Sequence, residues 1–130
     1  MHLNCKSKSC LILDDNPARF TTLVEQVEQI AFPYMERIVI VTTAQRAIKE
    51  LEHKSWSVIS LDHDLDGQVY VASENPNTGF TVAKFIVDNN IVFNTLLIHT
   101  LNDVGARNMY KVLQESVYAR RVFIKPCIDM

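Results

Sequence analysis

The chain has 130 residues, 48% of them apolar and 22% charged, with a net charge of −2. That length suits one domain with a real core, read here as residues 1–130. The weak charge excludes the electrostatic footprint needed to grip long nucleic acid or an anionic membrane.

The N-terminal "MHLNCKSKSC" is polar and holds no signal-peptide core, and no apolar run approaches the roughly 20 residues of a membrane span. Cys5, Cys10 and Cys127 are odd in number and lack metal-site spacing, so free thiols in a reducing cytoplasm are expected. Arg120 and Arg121, with Arg107 and Lys111 upstream, read as a solvated face.

In chain order, residues 10–13 form a short apolar run closed by Asp14-Asp15-Asn16-Pro17, which predicts a buried strand turning into a helix. Asn16 is the candidate cap, and Phe20, Leu23, Val24, Val27 and Ile30 recur at helical spacing. Pro33 lies beyond that helix, and residues 37–42, "RIVIVT", predict a second strand. Ala44, Ala47, Ile48 and Leu51 give a second amphipathic helix, and residues 56–61 a third strand.

Residues 60–67 then read "SLDHDLDG", with three carboxylates and an imidazole in five positions. Residues 68–77 are irregular, with an Asn-Pro turn signal. A third helix is expected over 79–88 with Phe80, Ala83, Ile86 and Val87 inward, and a fourth strand over 95–98. A fourth helix runs from 102 to about 117, with Met109, Val112, Leu113 and Ser116 on one side, and a fifth strand over 122–124 meets Lys125-Pro126.

Strands alternate with helices, and the strands are apolar on both faces. This predicts an α/β doubly wound domain with a five-stranded parallel sheet. Such a sheet delivers every carboxyl end to one edge, where ligands bind. Asp14-Asp15, Asp62-His63-Asp64, His99-Thr100 and Lys125 all fall at strand ends and are expected to meet there.

A double Asp after the first strand, an Asp after the third, a Thr after the fourth and Lys-Pro after the fifth resemble the motif set of response-regulator receiver domains. The resemblance spans residues 10 to 126 and implies a flavodoxin-like sheet of order 2-1-3-4-5. It also implies that Asp14 and Asp15 hold Mg²⁺, that Asp62 is the phosphoacceptor, that Thr100 is the switch hydroxyl and that Lys125 pairs with the phosphoryl group. The chain departs from that pattern in lacking the last receiver helix and in carrying His63, Asp64 and His99. With "SLDHDL", "TGF" and "IHTLN", it is most similar to the divergent receiver-like branch of phages and bacteria held to process cyclic phosphates.

Crowded carboxylates either bind a hard cation or push one member's proton affinity up. The candidate ligands of Mg²⁺ or Mn²⁺ are therefore Asp14, Asp15, Asp62 and Asp64. Opening a cyclic phosphodiester needs one group to activate water and another to protonate the leaving oxygen. Asp62, His63, His99, Thr100 and Lys125 are the catalytic candidates. Arg19, Asn102 and Gly105 are candidates for holding a phosphate, and Tyr70 for stacking on a base from a lid over 68–77.

The expected function is a metal-dependent phosphoesterase acting on a cyclic or terminal phosphate of a nucleotide or RNA end. The alternatives are a stand-alone receiver phosphorylated on Asp62 and an inactive receiver-like interaction module.

Overall fold

The structure, a computed structural model, describes residues 8–30 and 35–127. Cys5 and Pro33 lie outside the described residues. Five parallel strands form one sheet: β1 (Ser9–Leu13), β2 (Arg37–Val41), β3 (Val58–Leu61), β4 (Thr95–Ile98) and β5 (Val122–Ile124). Their order is 2-1-3-4-5, the doubly wound arrangement of flavodoxin-like receivers. Four helices connect them: α1 (Phe20–Ile30), α2 (Ala44–His53), α3 (Gly79–Asp88) and α4 (Asp103–Leu113). Among the described residues no helix follows β5, and none is long and apolar enough to cross a membrane.

The strand residues belong to two cores because side chains alternate across the sheet. Leu11, Leu13, Ile59, Leu61, Leu96 and Ile98 point toward α2, α3 and α4, where they pack with Trp56, Val82, Ala83, Ile86, Phe93 and Met109. Cys10, Ile12, Val58 and Leu97 point to the other side, against Leu23 and Val27 of α1. β3 is buried throughout and β1 is buried from Cys10 onward, while the outer strand β2 is partly exposed and β5 leaves Phe123 and Ile124 open to solvent.

Polar caps fix where the helices begin. Asn16 accepts the N–H of Ala18, and Pro17 starts a short 3-10 turn (Pro17–Arg19) that leads into α1. Thr43, expected just past the second strand, is the cap of α2 and accepts the N–H of Arg46. Asn102 caps α4 by accepting the N–H of Gly105 at 2.9 Å.

Some boundaries differ from the sequence expectation. β3 starts at Val58; Trp56 instead fills the core and donates its indole N–H to the Glu50 carbonyl. α4 ends at Leu113, and Ser116 turns the chain by accepting the N–H of Tyr118. On α3 the fully buried positions are Gly79, Val82, Ala83 and Ile86, with Phe80 and Val87 only partly covered.

Candidate active site at the carboxyl edge of the sheet

Asp14 and Asp62 are the first residues beyond β1 and β3, so neighbouring strands deliver both carboxylates to one point. Their side chains lie on the α1 side. Asp14 is fully buried and accepts four hydrogen bonds. They come from the Asn16 N–H at 2.8 Å, Arg19 Nε at 3.0 Å, Arg19 Nη2 at 3.2 Å and His99 Nε2 at 2.9 Å. Arg19 Nη2 also reaches Asp62 Oδ2 at 3.3 Å, so one guanidinium bridges the two acids. The other oxygen of Asp62 accepts the N–H of His63 at 2.8 Å. Thr100, which lines one cavity with Asp62, also favours the ionised form of that carboxyl.

The two acids are pushed apart in proton affinity. Burial raises the Asp62 carboxyl above its usual range, and repulsion from Asp14 adds to this against the pull of His99, Arg19 and Thr100. Burial also presses Asp14 upward, but the hydrogen bonds from His99 and Arg19 win and hold it below its usual range. Asp14 is thus the fixed charge and Asp62 the group that can carry a proton.

His99 is held at both ring nitrogens, by Asp14 through Nε2 and by the Ser60 hydroxyl through Nδ1 at 2.8 Å. Ser60 is the lone polar residue of β3 and is fully buried. Sequence reasoning gave it no role, yet a hydroxyl inside a strand buried on both faces is a signal for a partner.

His63 falls on the opposite face of the sheet and does not meet His99. Its fully buried ring bonds Asp64 Oδ1 through Nδ1 at 2.8 Å and Ser73 Oγ through Nε2 at 2.9 Å. Asn108 on α4 donates to the same Ser73 oxygen, and Asn102 donates to Asp64 Oδ1 at 3.0 Å. A Cβ on Gly105 would stand 2.5 Å from the His63 ring, so α4 needs a glycine there to lie against it.

Asp64 also accepts the N–H groups of Tyr70 at 2.6 Å and Val71 at 3.2 Å. Burial presses its carboxyl upward, but the bonds from His63, Asn102 and these amides outweigh that and hold it low. His63 and Asp64 therefore tie the 68–77 segment to α4.

A cavity of about 400 Å³ opens above Asp62. Asp15, Arg19, Asp64, Thr100 and Asn102 line it together with Gly67, Val69, Tyr70 and Leu101. Asp15 faces it while its carboxylate accepts the Gly67 N–H. Lys125 lies exposed past β5, outside the lining, its N–H on Ile98 and its carbonyl accepting the Gln26 side chain.

Asp14, Asp62 and His99 bring two carboxylate oxygens and one imidazole nitrogen within 4.8 Å of one another. This is a donor set that fits a divalent cation, with Asp15 on the adjoining wall.

The profile of the family described as Cyclic-phosphate processing Receiver domain matches residues 10–115. The chain belongs to that family. Solved receiver domains share its fold at low identity. The signal receiver domain of a Vibrio parahaemolyticus protein described as a LuxO repressor has a TM-score of 0.60 at 22% identity, covering 94% of this chain and 80% of that one.

A response regulator from Burkholderia pseudomallei, solved with a phosphorylated aspartic acid, a calcium ion and citrate, has a TM-score of 0.59 at 17% identity, covering 94% and 62%. The receiver domain of a sensor histidine kinase from Pseudomonas aeruginosa PAO1, solved with a magnesium ion coordinated in its active site cleft, has a TM-score of 0.58 at 14% identity, covering 92% and 84%. No curated protein matches the chain. Asp14 and Asp15 follow β1, Asp62 follows β3, His99 and Thr100 follow β4 and Lys125 follows β5.

Proposed function

We propose that this receiver domain is a metal-dependent phosphoesterase acting on a cyclic or terminal phosphate of a nucleotide or RNA end. The observation that supports it most is the carboxylate pair itself: Asp62 lines the cavity beside the buried Asp14, and the Arg19 guanidinium that lines the same cavity bridges the two. A bound Mg²⁺ or Mn²⁺, held by the Asp14 and Asp62 carboxylates with Asp15 nearby, would supply charge neutralisation for the phosphate.

The chain's own residues do the rest. Asp62 takes a proton from the attacking water, and solvent supplies the proton that the leaving ribose oxygen takes up as the P–O bond of the cyclic ester breaks; Asp62 then releases its proton to solvent, so protons balance over one turnover. Arg19 and the Thr100 hydroxyl offer donors to the phosphoryl oxygens. His99 acts through Asp14, holding that carboxylate in place. His63 and Lys125, both outside the cavity lining, are assigned no contact with substrate.

The test is turnover of nucleoside 2′,3′-cyclic phosphates with Mg²⁺ or Mn²⁺. Asp62→Asn is expected to lower the rate by roughly 10²–10⁴, the usual worth of a proton-transferring group. Undiminished turnover in Asp62→Asn would defeat the assignment.

A second reading rests on the placement of Asp62 and Thr100, the expected acceptor and switch residues, in the lining of one cavity. It treats the domain as a stand-alone receiver phosphorylated on Asp62. Stoichiometric, hydrolysis-labile labelling by acetyl phosphate, without turnover of cyclic phosphates, would favour it.

A further inference from the structure

We propose that the mouth of the cavity is a nucleobase subsite, with Tyr70 as the stacking platform and Val69 and Leu101 as its apolar walls. The inference rests on the phosphoesterase reading for the phosphate end of the ligand but has a test of its own. Tyr70 is 78% exposed, Val69 75% and Leu101 53%, and all three border the same cavity as Arg19, Asp62 and Thr100. Three large apolar side chains left in water around one opening mark a surface meant to be covered.

Tyr70 also adopts a φ of 53°, a left-handed conformation that a bulky residue rarely takes. Such strain persists only when the surroundings over-determine it. Here the Asp64 carboxylate does so by accepting the N–H of Tyr70 and of the next residue. Asp64 is in turn fixed by His63 and Asn102. A buried polar network is thus used to present one exposed aromatic ring at the rim of the cavity.

The floor of the cavity is polar and charged, and its rim is apolar and aromatic. An amphipathic ligand with a phosphate at one end and a flat, uncharged ring at the other matches both. A cavity of about 400 Å³ has room for a mononucleotide.

The experiment compares a nucleoside 2′,3′-cyclic phosphate with a base-free cyclic phosphate, glycerol 1,2-cyclic phosphate, on the full chain with Mn²⁺. Tyr70→Asn removes the ring while keeping a residue that tolerates positive φ, and Tyr70→Phe restores the ring. The preference of kcat/KM for the nucleoside substrate is expected to fall roughly tenfold in Tyr70→Asn, mostly through KM, and to return in Tyr70→Phe.

A second arm needs no turnover: calorimetric binding of adenosine 3′-monophosphate against inorganic phosphate with Mn²⁺. The nucleotide is expected to bind roughly tenfold tighter, and Tyr70→Asn to erase the difference. Turnover absent with this binding difference present would sink the enzyme reading and leave the subsite standing. A nucleotide that binds no tighter than phosphate, or an undisturbed preference in Tyr70→Asn, would overturn the subsite itself.

Discussion

Removing one oxygen's charge from Asp14 or from Asp62 is expected to change stability in opposite directions. Asp14 accepts four donors while fully buried. In Asp14→Asn the amide nitrogen would face either His99 or Arg19, donor against donor, and the ion pair with Arg19 is lost. Breaking a buried pair by removing one partner costs about 3–5 kcal/mol. With about 3–5 °C of Tm per kcal/mol for a chain of this size, Tm should drop by roughly 10 °C or more.

Asp62→Asn keeps an oxygen for the His63 N–H and loses a 3.3 Å contact to Arg19. It also removes a charge that burial disfavours, so a gain in stability is expected.

Urea unfolding followed by circular dichroism gives both values, and pH separates their origins. Asp14 is depressed below its ordinary 3.8, so its stabilisation is present above that pH and is lost as pH falls through the native value. Asp62 is raised, so the native state keeps its proton longer. Its cost appears as pH climbs above 3.8 and is complete beyond the native value. The gain in Asp62→Asn should therefore grow as pH rises above 3.8 and vanish below it. If both variants lose stability equally at pH 7, the assignment of fixed charge to Asp14 and proton carrier to Asp62 is wrong.

Gly105→Ala would drive a methyl into the His63 ring and should cost about 1–3 kcal/mol; in a double-mutant cycle with His63→Ala the costs should fail to add. Gly79→Ala should be worse, leaving little folded protein by circular dichroism, because the new Cβ would stand 1.8 Å from the Asp62 carbonyl oxygen, a backbone atom that cannot swing away. Cys10 is fully buried, and burial pushes its thiol up to about 12. Maleimide labelling of the peptide carrying Cys10, read by mass spectrometry, should track global unfolding in urea. Added Mn²⁺ should raise Tm and chelator should reverse the rise, with Asp62→Asn abolishing most of the effect; a Tm indifferent to millimolar Mn²⁺ would count against a cation at these carboxylates.

The fold was legible because parallel strands advertise themselves as short apolar runs, and here each ends in a polar residue that punctuates it. The gathering of Asp14, Asp62 and His99 was legible for the same reason, since the sheet sends all carboxyl ends to one edge. What the pattern hid was which side of the sheet each end residue takes. His63 and His99 sit at adjacent strand ends, yet one chain step past Asp62 puts His63 on the α4 side and away from the Asp14–Asp62 pair. Alternation decides this, but only once the register is known.

The exposed Leu101 and the His63-bonded Ser73 were also hidden. Their roles depend on where an irregular segment folds back, and no period in sequence encodes that. Arg19 was half legible: its expected place one turn into the first helix suggested the phosphate edge, but not that it would bridge two acids.

The segment above the cavity is closed at its base by the Asp64–Thr78 bridge and by the Gly79 N–H on the His63 carbonyl. Asn77 adds a bond to the start of α2. Residues 67–72 between these ties touch the sheet through none of their side-chain packing in either core. The tip is therefore a replaceable cassette. Its sequence and length can drift, or be randomised in a library, with the barrier to change set at Asp64 and Thr78 rather than at the strands. Relatives that share the carboxylate pair but recognise different molecules would be expected to diverge first in these few positions, and a designer seeking a new ligand has the same place to begin.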